Sequence, residues 1–305
     1  MTSPRIVIAG GSGFIGSALA REFSAAGRSV VVLTRSPRQR TDGVVEAAWD
    51  GATVGPWGAL LEGAAAVINL AGKSINCPHT PANLREITTS RVNSVNAIAA
   101  AMAGVRTPPQ VWLQAAAVGI YGDTGAVAGD ERAPVGGDEL AGICRQWEAA
   151  VAAAAVGVPR KATLRIGVVL GRGGGALPVL ARMTRWFLGG PAGSGRQYVS
   201  WVHLADLVSM FRMVVEDERL AGGFNAVAPQ AVTNAQLMRE LRRVLHRPWS
   251  PPAPAWAVRL GARLMGTEGS LALVSQRCLP ARFQAAGFPF RFAELAPALE
   301  DLLRP

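Results

Sequence analysis

Over its first 170 residues the chain alternates short apolar runs with longer amphipathic stretches, and no other feature narrows its fold so far. Runs of strand length stand at 5–9, 29–34, 44–49, 65–70, 111–116 and 162–166. Helical patterns fill the intervals, clearest at 14–26, 81–104 and 139–156. Each interval is long enough for a right-handed crossover. Consecutive strands are therefore expected to run parallel in one sheet.

From residue 171 the rhythm changes. A glycine-rich loop, Gly171-Arg172-Gly173-Gly174-Gly175, leads to a helix near 177–188 and a Gly/Pro/Ser turn at 189–195. A short strand at 198–202, a helix at 204–215 and a strand near 223–227 follow. The remainder reads as helical, with a proline-rich bend at 248–254. The expected division is a domain over 1–170, to which 198–228 returns, and a smaller C-terminal substrate lobe made of 171–197 and 229–305. No internal repeat is visible.

The 305 residues suit two domains, and a chain half hydrophobic with only 17% charged residues builds cores, so dominant disorder is excluded. Mean hydropathy is +0.23. The longest apolar run, 149–158, is about half the ~20 residues a bilayer-spanning helix needs, so no membrane partner is expected. The apolar N-terminus imitates a secretion signal, but glycines at 10, 11, 13 and 16 interrupt it. Three widely spaced cysteines, Cys77, Cys144 and Cys278, argue against a disulfide framework or zinc site and for a reducing, cytoplasmic location. The net charge of +10 is almost all arginine, since the only lysines are Lys73 and Lys161. The basic residues are scattered and the chain has only two tyrosines, Tyr121 and Tyr198, so a nucleic-acid partner is not expected. A small-molecule partner, with an anionic one left open, is. The oligomeric state stays open.

The sharpest local signal is Gly10-Gly11-Ser12-Gly13-Phe14-Ile15-Gly16, directly after a strand and opening a helix. Gly10 suits the tight turn, Gly13 lets a pyrophosphate approach the backbone, and Gly16 lets helix and strand pack closely. The N–H groups of the first helical turn, from Phe14 and Ile15 onward, would face the phosphates. This is a dinucleotide site on a Rossmann-type, doubly wound α/β sheet. An acidic residue about 20 positions on would hold a ribose hydroxyl, but Arg35 stands there, and Arg38 and Arg40 follow with no acid between Leu33 and Thr41. A guanidinium suits a 2′-phosphate, so NADP(H) is the expected cofactor. The fourth strand ends in Asn69-Leu70-Ala71-Gly72, where Leu70, Ala71 and Gly72 form a small-residue turn that admits the cofactor or simply joins strand to helix.

With these features and Gly119-Ile120-Tyr121-Gly122, the chain resembles the extended short-chain dehydrogenase/reductases, the sugar-nucleotide epimerase and dehydratase group. It resembles most an atypical, epimerase-like branch of uncertain substrate. Trp49-Asp50-Gly51, Ser90-Arg91-Val92, Cys144-Arg145-Gln146-Trp147-Glu148 and Arg165-Ile166-Gly167-Val168-Val169-Leu170 point to that branch. So do Gly193-Ser194-Gly195-Arg196-Gln197, Ser200-Trp201-Val202-His203, Asn225-Ala226-Val227-Ala228-Pro229 and Ser275-Gln276-Arg277. The resemblance implies hydride transfer at a carbonyl or carbinol carbon. The alternative is a non-catalytic NADP(H)-binding regulator.

Ordinary members of the group use a tyrosine, a lysine four residues on, and an upstream Ser or Thr. The resemblance places these at Leu140, at Cys144, and at Ala116 or Ala117, so the set is missing; Arg91 replaces the usual asparagine. The catalytic candidates left are Tyr121 as proton donor and Arg91 as the cation beside it, Arg91 also counting toward the cofactor site. Cys144 is expected to be a packing residue. His203 and Asp206 read as a structural pair near the site. Arg165, Arg172 and Arg196 are candidates to line the cleft for an anionic substrate, against solvated surface positions.

Overall fold

The computed structural model describes residues 5–155 and 157–304. Seven parallel strands form its central sheet. They are β1 (Arg5–Ala9), β2 (Ser29–Thr34), β3 (Val45–Ala48), β4 (Ala66–Asn69), β5 (Val111–Ala117), β6 (Arg160–Ile166) and, after a long excursion, β11 (Gly222–Ala226). The spatial order is β11-β6-β5-β4-β1-β2-β3. The chain thus winds outward from β1 to β3, returns to β4 and winds the other way, which is the doubly wound arrangement expected. Its switch point lies between β1 and β4, where two loops leave neighbouring strands in opposite directions.

Helices cover both faces. On one, α1 (Phe14–Ala25) and α5 (Leu204–Glu216) close over Ile6, Ile8, Phe23, Phe211 and Phe224. On the other, α2 (Pro81–Ala103) and α3 (Glu139–Ala153) close over Val7, Val67, Trp112 and Trp147. Successive residues of β1 feed opposite cores, so the strand is apolar at every buried position. Local chemistry sets the helix starts. Thr80 caps α2 by accepting from the Asn83 N–H, with Pro81 at the first helical position, and Asp138 caps α3 by accepting from the Ala141 N–H. The expectation for α3 ran to Val156, which lies outside the described residues; the described helix stops at Ala153.

Beyond β6 the chain builds smaller elements. β7 (Val168–Gly171) pairs antiparallel with β8 (Gly174–Gly175) and parallel with β10 (Trp201–His203), while β9 (Tyr198–Val199) pairs antiparallel with β12 (Val232–Thr233). The strand expected at 198–202 is therefore two strands broken at Ser200, whose hydroxyl donates to the Gln276 carbonyl and accepts from the Cys278 N–H. The helix α4 (Leu177–Arg185) ends three residues before the expected 188, because Phe187 takes a left-handed φ of +62°. A third core joins α4, α6 (Asn234–Val244) and the terminal α9 (Leu295–Leu303) around Leu177, Leu237, Leu241 and Leu299. Two further helices, α7 (Ala255–Leu264) and α8 (Ala281–Ala285), lie between α6 and α9.

Candidate functional site

At the switch point the glycine loop and the β4 turn touch. Gly10 has φ +72°, and a Cβ there would lie 3.0 Å from Cα of Ala71, so both the turn and the close approach require glycine. A Cβ on Gly16 would meet Cα of Gly11 at 2.4 Å, which fixes α1 tightly against β1. Gly13 differs: the nearest atom to its Cβ position is the Gly10 carbonyl oxygen at 3.6 Å, and Ser12 and Gly13 are exposed. The space in front of Gly13 is thus left open by the protein itself. Gly13 caps α1 without a side-chain hydrogen bond, and the first turn of α1 carries no acid. Such a helix end offers N–H groups and a positive dipole to an anion.

Past the end of β2 a shallow groove of about 470 Å³ is lined by Arg35, Trp49, Asp50 and Trp57. Thr34 ends β2 with its hydroxyl donating to Ser12 Oγ at 3.2 Å, so the glycine loop is joined to the end of β2. Arg40 is taken by Asp42 and by Glu46. Arg35 and Arg38 are exposed, and their guanidinium groups have no partner among the described residues. Asp50 lies in the same groove, but its carboxylate accepts from the Ala52 and Thr53 N–H groups and the Thr53 hydroxyl, which holds its pKa down to about 2. The donor set therefore fits a dinucleotide with a phosphate at its ribose end: the backbone N–H groups of the first turn of α1, which no side chain caps, and cations unpaired among the described residues nineteen and twenty-two residues beyond Gly16.

The β4 turn is held from below. Asn69 is fully buried, accepts from the Ala71 N–H, and donates to Ser94 Oγ and Gln114 Oε1. Leu70, Ala71 and Gly72 are thereby fixed beside the glycine loop. Arg91, one helical turn from Ser94 on α2, donates to the Lys73 and Ile87 carbonyls and lies over the Trp147 ring at 4.9 Å. Burial lowers its pKa. A Cβ on Gly72 would come within 3.1 Å of the Arg91 side chain, so Gly72 makes room for it.

Arg91 is not the cation beside Tyr121, and that expectation is corrected. Tyr121 ends a 3-10 turn at Val118–Tyr121 after β5, is buried, and directs its hydroxyl toward β6 and β11. It donates to Asn225 Oδ1 at 2.8 Å and accepts from Arg165 Nη1 at 2.7 Å. Arg165 in turn makes a two-point pair with Glu148 of α3, both contacts at 2.9 Å. Glu131 completes the cluster, its carbonyl accepting from Arg165 and its carboxylate from the Asn225 N–H. Burial pushes the Tyr121 phenol up to about 12 despite the neighbouring guanidinium. Tyr121, Glu148, Arg165 and Asn225 come from four segments singled out in the sequence, whose joint role was not visible there, and Glu131 from a stretch that carried no signal.

The other arginines expected in a cleft part company. Arg165 is committed as described, and Arg172 donates to the Asp301 and Arg304 carbonyls at the end of α9. Arg196 alone is exposed with a guanidinium lacking a partner among the described residues. Of the Gly171–Gly175 loop, Gly171 and Arg172 border a groove of about 1280 Å³ shared with residues of α1, α5 and α9. A Cβ on Gly171 or Gly174 would strike the Phe14 ring at 2.6 or 2.4 Å, so the loop is a seat for Phe14. His203 caps α5 by accepting from the Ala205 N–H at Nδ1 and stacks on Phe292 at 3.8 Å. Its Nε2 lies 3.3 Å from Asp301 Oδ2 but off hydrogen-bond geometry, and burial lowers its pKa. Asp206 accepts from the Arg291 and Phe292 N–H groups. The pair thus fastens α5 to the C-terminal segment.

A family model described as the NAD dependent epimerase/dehydratase family matches residues 6–226, and one described as a domain of unknown function (DUF1731) matches 253–302. The chain belongs to the NAD-dependent epimerase/dehydratase family. It is 34% identical to the bovine (Bos taurus) epimerase family protein SDR39U1, covering 98% of this chain and 99% of that one. It is 33% identical to the chloroplastic SDR39U1 homolog of Arabidopsis thaliana, over 98% of this chain and 86% of the relative. The crystal structure of human epimerase family protein SDR39U1 (isoform 2) with NADPH is similar at 31% identity and TM-score 0.85, over 98% of both chains.

Against the family's usual catalytic set, the structure places Ala116 and Ala117 at the end of β5 and Leu140 and Cys144 on α3. Cys144 is buried beneath Gly119, and burial pushes its thiol up to about 12. At neutral pH it is an uncharged, packed side chain. Among the described residues no helix is long and apolar enough to cross a membrane.

Proposed function

We propose that the protein binds NADP(H), with the pyrophosphate over Gly13 at the start of α1 and the 2′-phosphate beside Arg35, Arg38 being next along the same loop. The observation that carries this is the pairing of an unobstructed, uncapped helix end with unpaired cations at the end of β2. The NADPH of the human relative supports it. Ser12, Phe14, Ile15 and Gly16 shape the phosphate side of the site, and Leu70, Ala71 and Gly72, braced by Arg91, the wall beside the glycine loop. Bound there, the cofactor supplies a hydride carrier for a small carbonyl or carbinol substrate. Arg196 is the arginine free to meet an anionic substrate group. An oxidoreductase- or epimerase-like reaction is the reading we adopt. Its proton does not come from Leu140 or Cys144, and Tyr121 would have to give up its hydrogen bond to Asn225 Oδ1 to supply one.

That last observation favours a second reading, a non-catalytic NADP(H)-binding regulator in which the Tyr121 cluster is purely structural. Following NADPH absorbance across a panel of aldehydes, ketones and sugar nucleotides separates the two. Turnover lost in Tyr121→Phe supports a catalytic Tyr121. Turnover kept in that variant assigns the proton elsewhere. NADPH binding with no turnover on any class favours the regulator.

A further inference from the structure

The surface around α7 carries an arrangement that neither the cofactor site nor the cores use. Along α7, Trp256, Leu260 and Leu264 stand four residues apart and face solvent, with relative exposures of 67%, 51% and 81%. Beside its start, Trp249 and the Trp186-Phe187-Leu188 tip after α4 are exposed as well. The two segments are stitched together. Ala192 and Ala253 form a β-bridge, the Ala253 N–H donates to the Pro191 carbonyl, and Arg247 donates to the Arg185 carbonyl while its guanidinium lies 5.4 Å from the Phe187 ring centroid. Phe187 holds its ring outward from a left-handed backbone that ordinarily favours glycine. Large apolar side chains grouped on an outer face mark a binding surface.

Charge identifies the occupant. The sequence has no acidic residue between Glu148 and Asp206, and none between Glu240 and Glu268. Arginines at 182, 185, 259 and 263 are exposed around the apolar groups. The acid nearest along the chain to α7, Glu268, is occupied by the Ser270 and His79 N–H groups. A second copy of the chain would bring the same cations face to face, which opposes self-association. Trp186, Phe187, Trp249 and Trp256 are rings on which bases can stack, but Leu188, Leu260 and Leu264 share their face, and a lipid interface takes up both kinds of side chain. Tryptophan and leucine on one face with arginine around them are the composition of an interfacial helix on an anionic lipid surface.

We propose that α7 and the 186–188 tip dock the protein onto anionic lipid headgroups, with the tryptophan and leucine side chains entering the interface. The absence of a spanning helix does not bear on this mode, and the scattered residues escape a search for apolar runs. The proposal is independent of the cofactor site.

The test is co-sedimentation of the full chain with vesicles of phosphatidylglycerol mixed with phosphatidylcholine, against phosphatidylcholine alone. Binding is expected only to the anionic vesicles and should weaken as salt rises. The triple variant Trp256→Ser/Leu260→Ser/Leu264→Ser should bind about tenfold more weakly or worse, and Arg259→Glu/Arg263→Glu should lose most of the salt-dependent component. Brominated lipids should quench wild-type tryptophan fluorescence, a readout that needs no variant to fold. Absence of binding and quenching by the wild type at low salt overturns the proposal, as does undiminished binding by both folded variants. Self-association abolished by the triple variant, or tighter capture of single-stranded DNA than of vesicles, assigns the surface to another occupant and also overturns it.

Discussion

Gly13 and Gly16 stand three residues apart and do different work. A Cβ on Gly13 meets only the Gly10 carbonyl oxygen, at an ordinary 3.6 Å, whereas one on Gly16 meets the backbone of Gly11 at 2.4 Å. Gly16→Ala should therefore cost stability, about 1–3 kcal/mol for an overpacked site, read as a lower midpoint in urea unfolding. Gly13→Val should keep its unfolding free energy within about 1 kcal/mol of the wild type and lose NADPH affinity in a fluorescence titration. Unchanged affinity in folded Gly13→Val would show that no phosphate sits over that glycine. Cys144 yields a prediction with a sign. Its folded pKa of about 12 lies above the ordinary thiol value of 9.0, so the buried neutral thiol stabilises the fold fully below pH 9. That contribution falls as pH rises toward 12, because the unfolded chain releases its proton first. Cys144→Ala should flatten the decline in stability over that window, and alkylation of Cys144 near pH 8 should be slow in the folded state. Fast alkylation would mean an accessible thiolate and reopen its role.

At the scale of elements, the Glu148–Arg165–Tyr121–Asn225 cluster ties α3, β6, the turn after β5 and β11 into one unit. Removing one partner of a largely buried ion pair leaves the other uncompensated. Glu148→Gln should cost about 3 kcal/mol, and Tyr121→Phe, which keeps the ring, about 1–2 kcal/mol, both measured by denaturant unfolding. NADPH affinity should stay unchanged in Tyr121→Phe. A Tyr121→Phe protein of undiminished stability would mean that the cluster does not hold these elements. None of this was legible in the sequence, because the contacts join residues 17 to 104 positions apart. The motifs containing Glu148, Arg165 and Asn225 were visible, but their convergence was not. Arg172 reads the same way: a lone arginine in a glycine loop gives no sign that it will bind carbonyls at the far C-terminus.

Across the whole molecule, the central sheet was legible because parallel strands covered on both faces are apolar nearly throughout; β1 and β2 have the bounds expected of them. The small sheets were not: β7 and β8 include glycines that signal turns, and β9 and β10 are separated by one residue, Ser200, whose hydroxyl bonds the backbone of Gln276 and Cys278. The glycine loop was legible because its signal is local, a strand, a turn and a helix end within a dozen residues. NADP(H) recognition at that loop, with the 2′-phosphate beside Arg35, is decided by titrating the intact protein and its Arg35→Asp variant with NADPH and NADH. The wild type should prefer NADPH, and Arg35→Asp should weaken NADPH by about tenfold to a hundredfold, the range for a lost charge-assisted contact, while changing NADH little. Equal affinity for the two cofactors in the wild type, or equal losses in the variant, would contradict it.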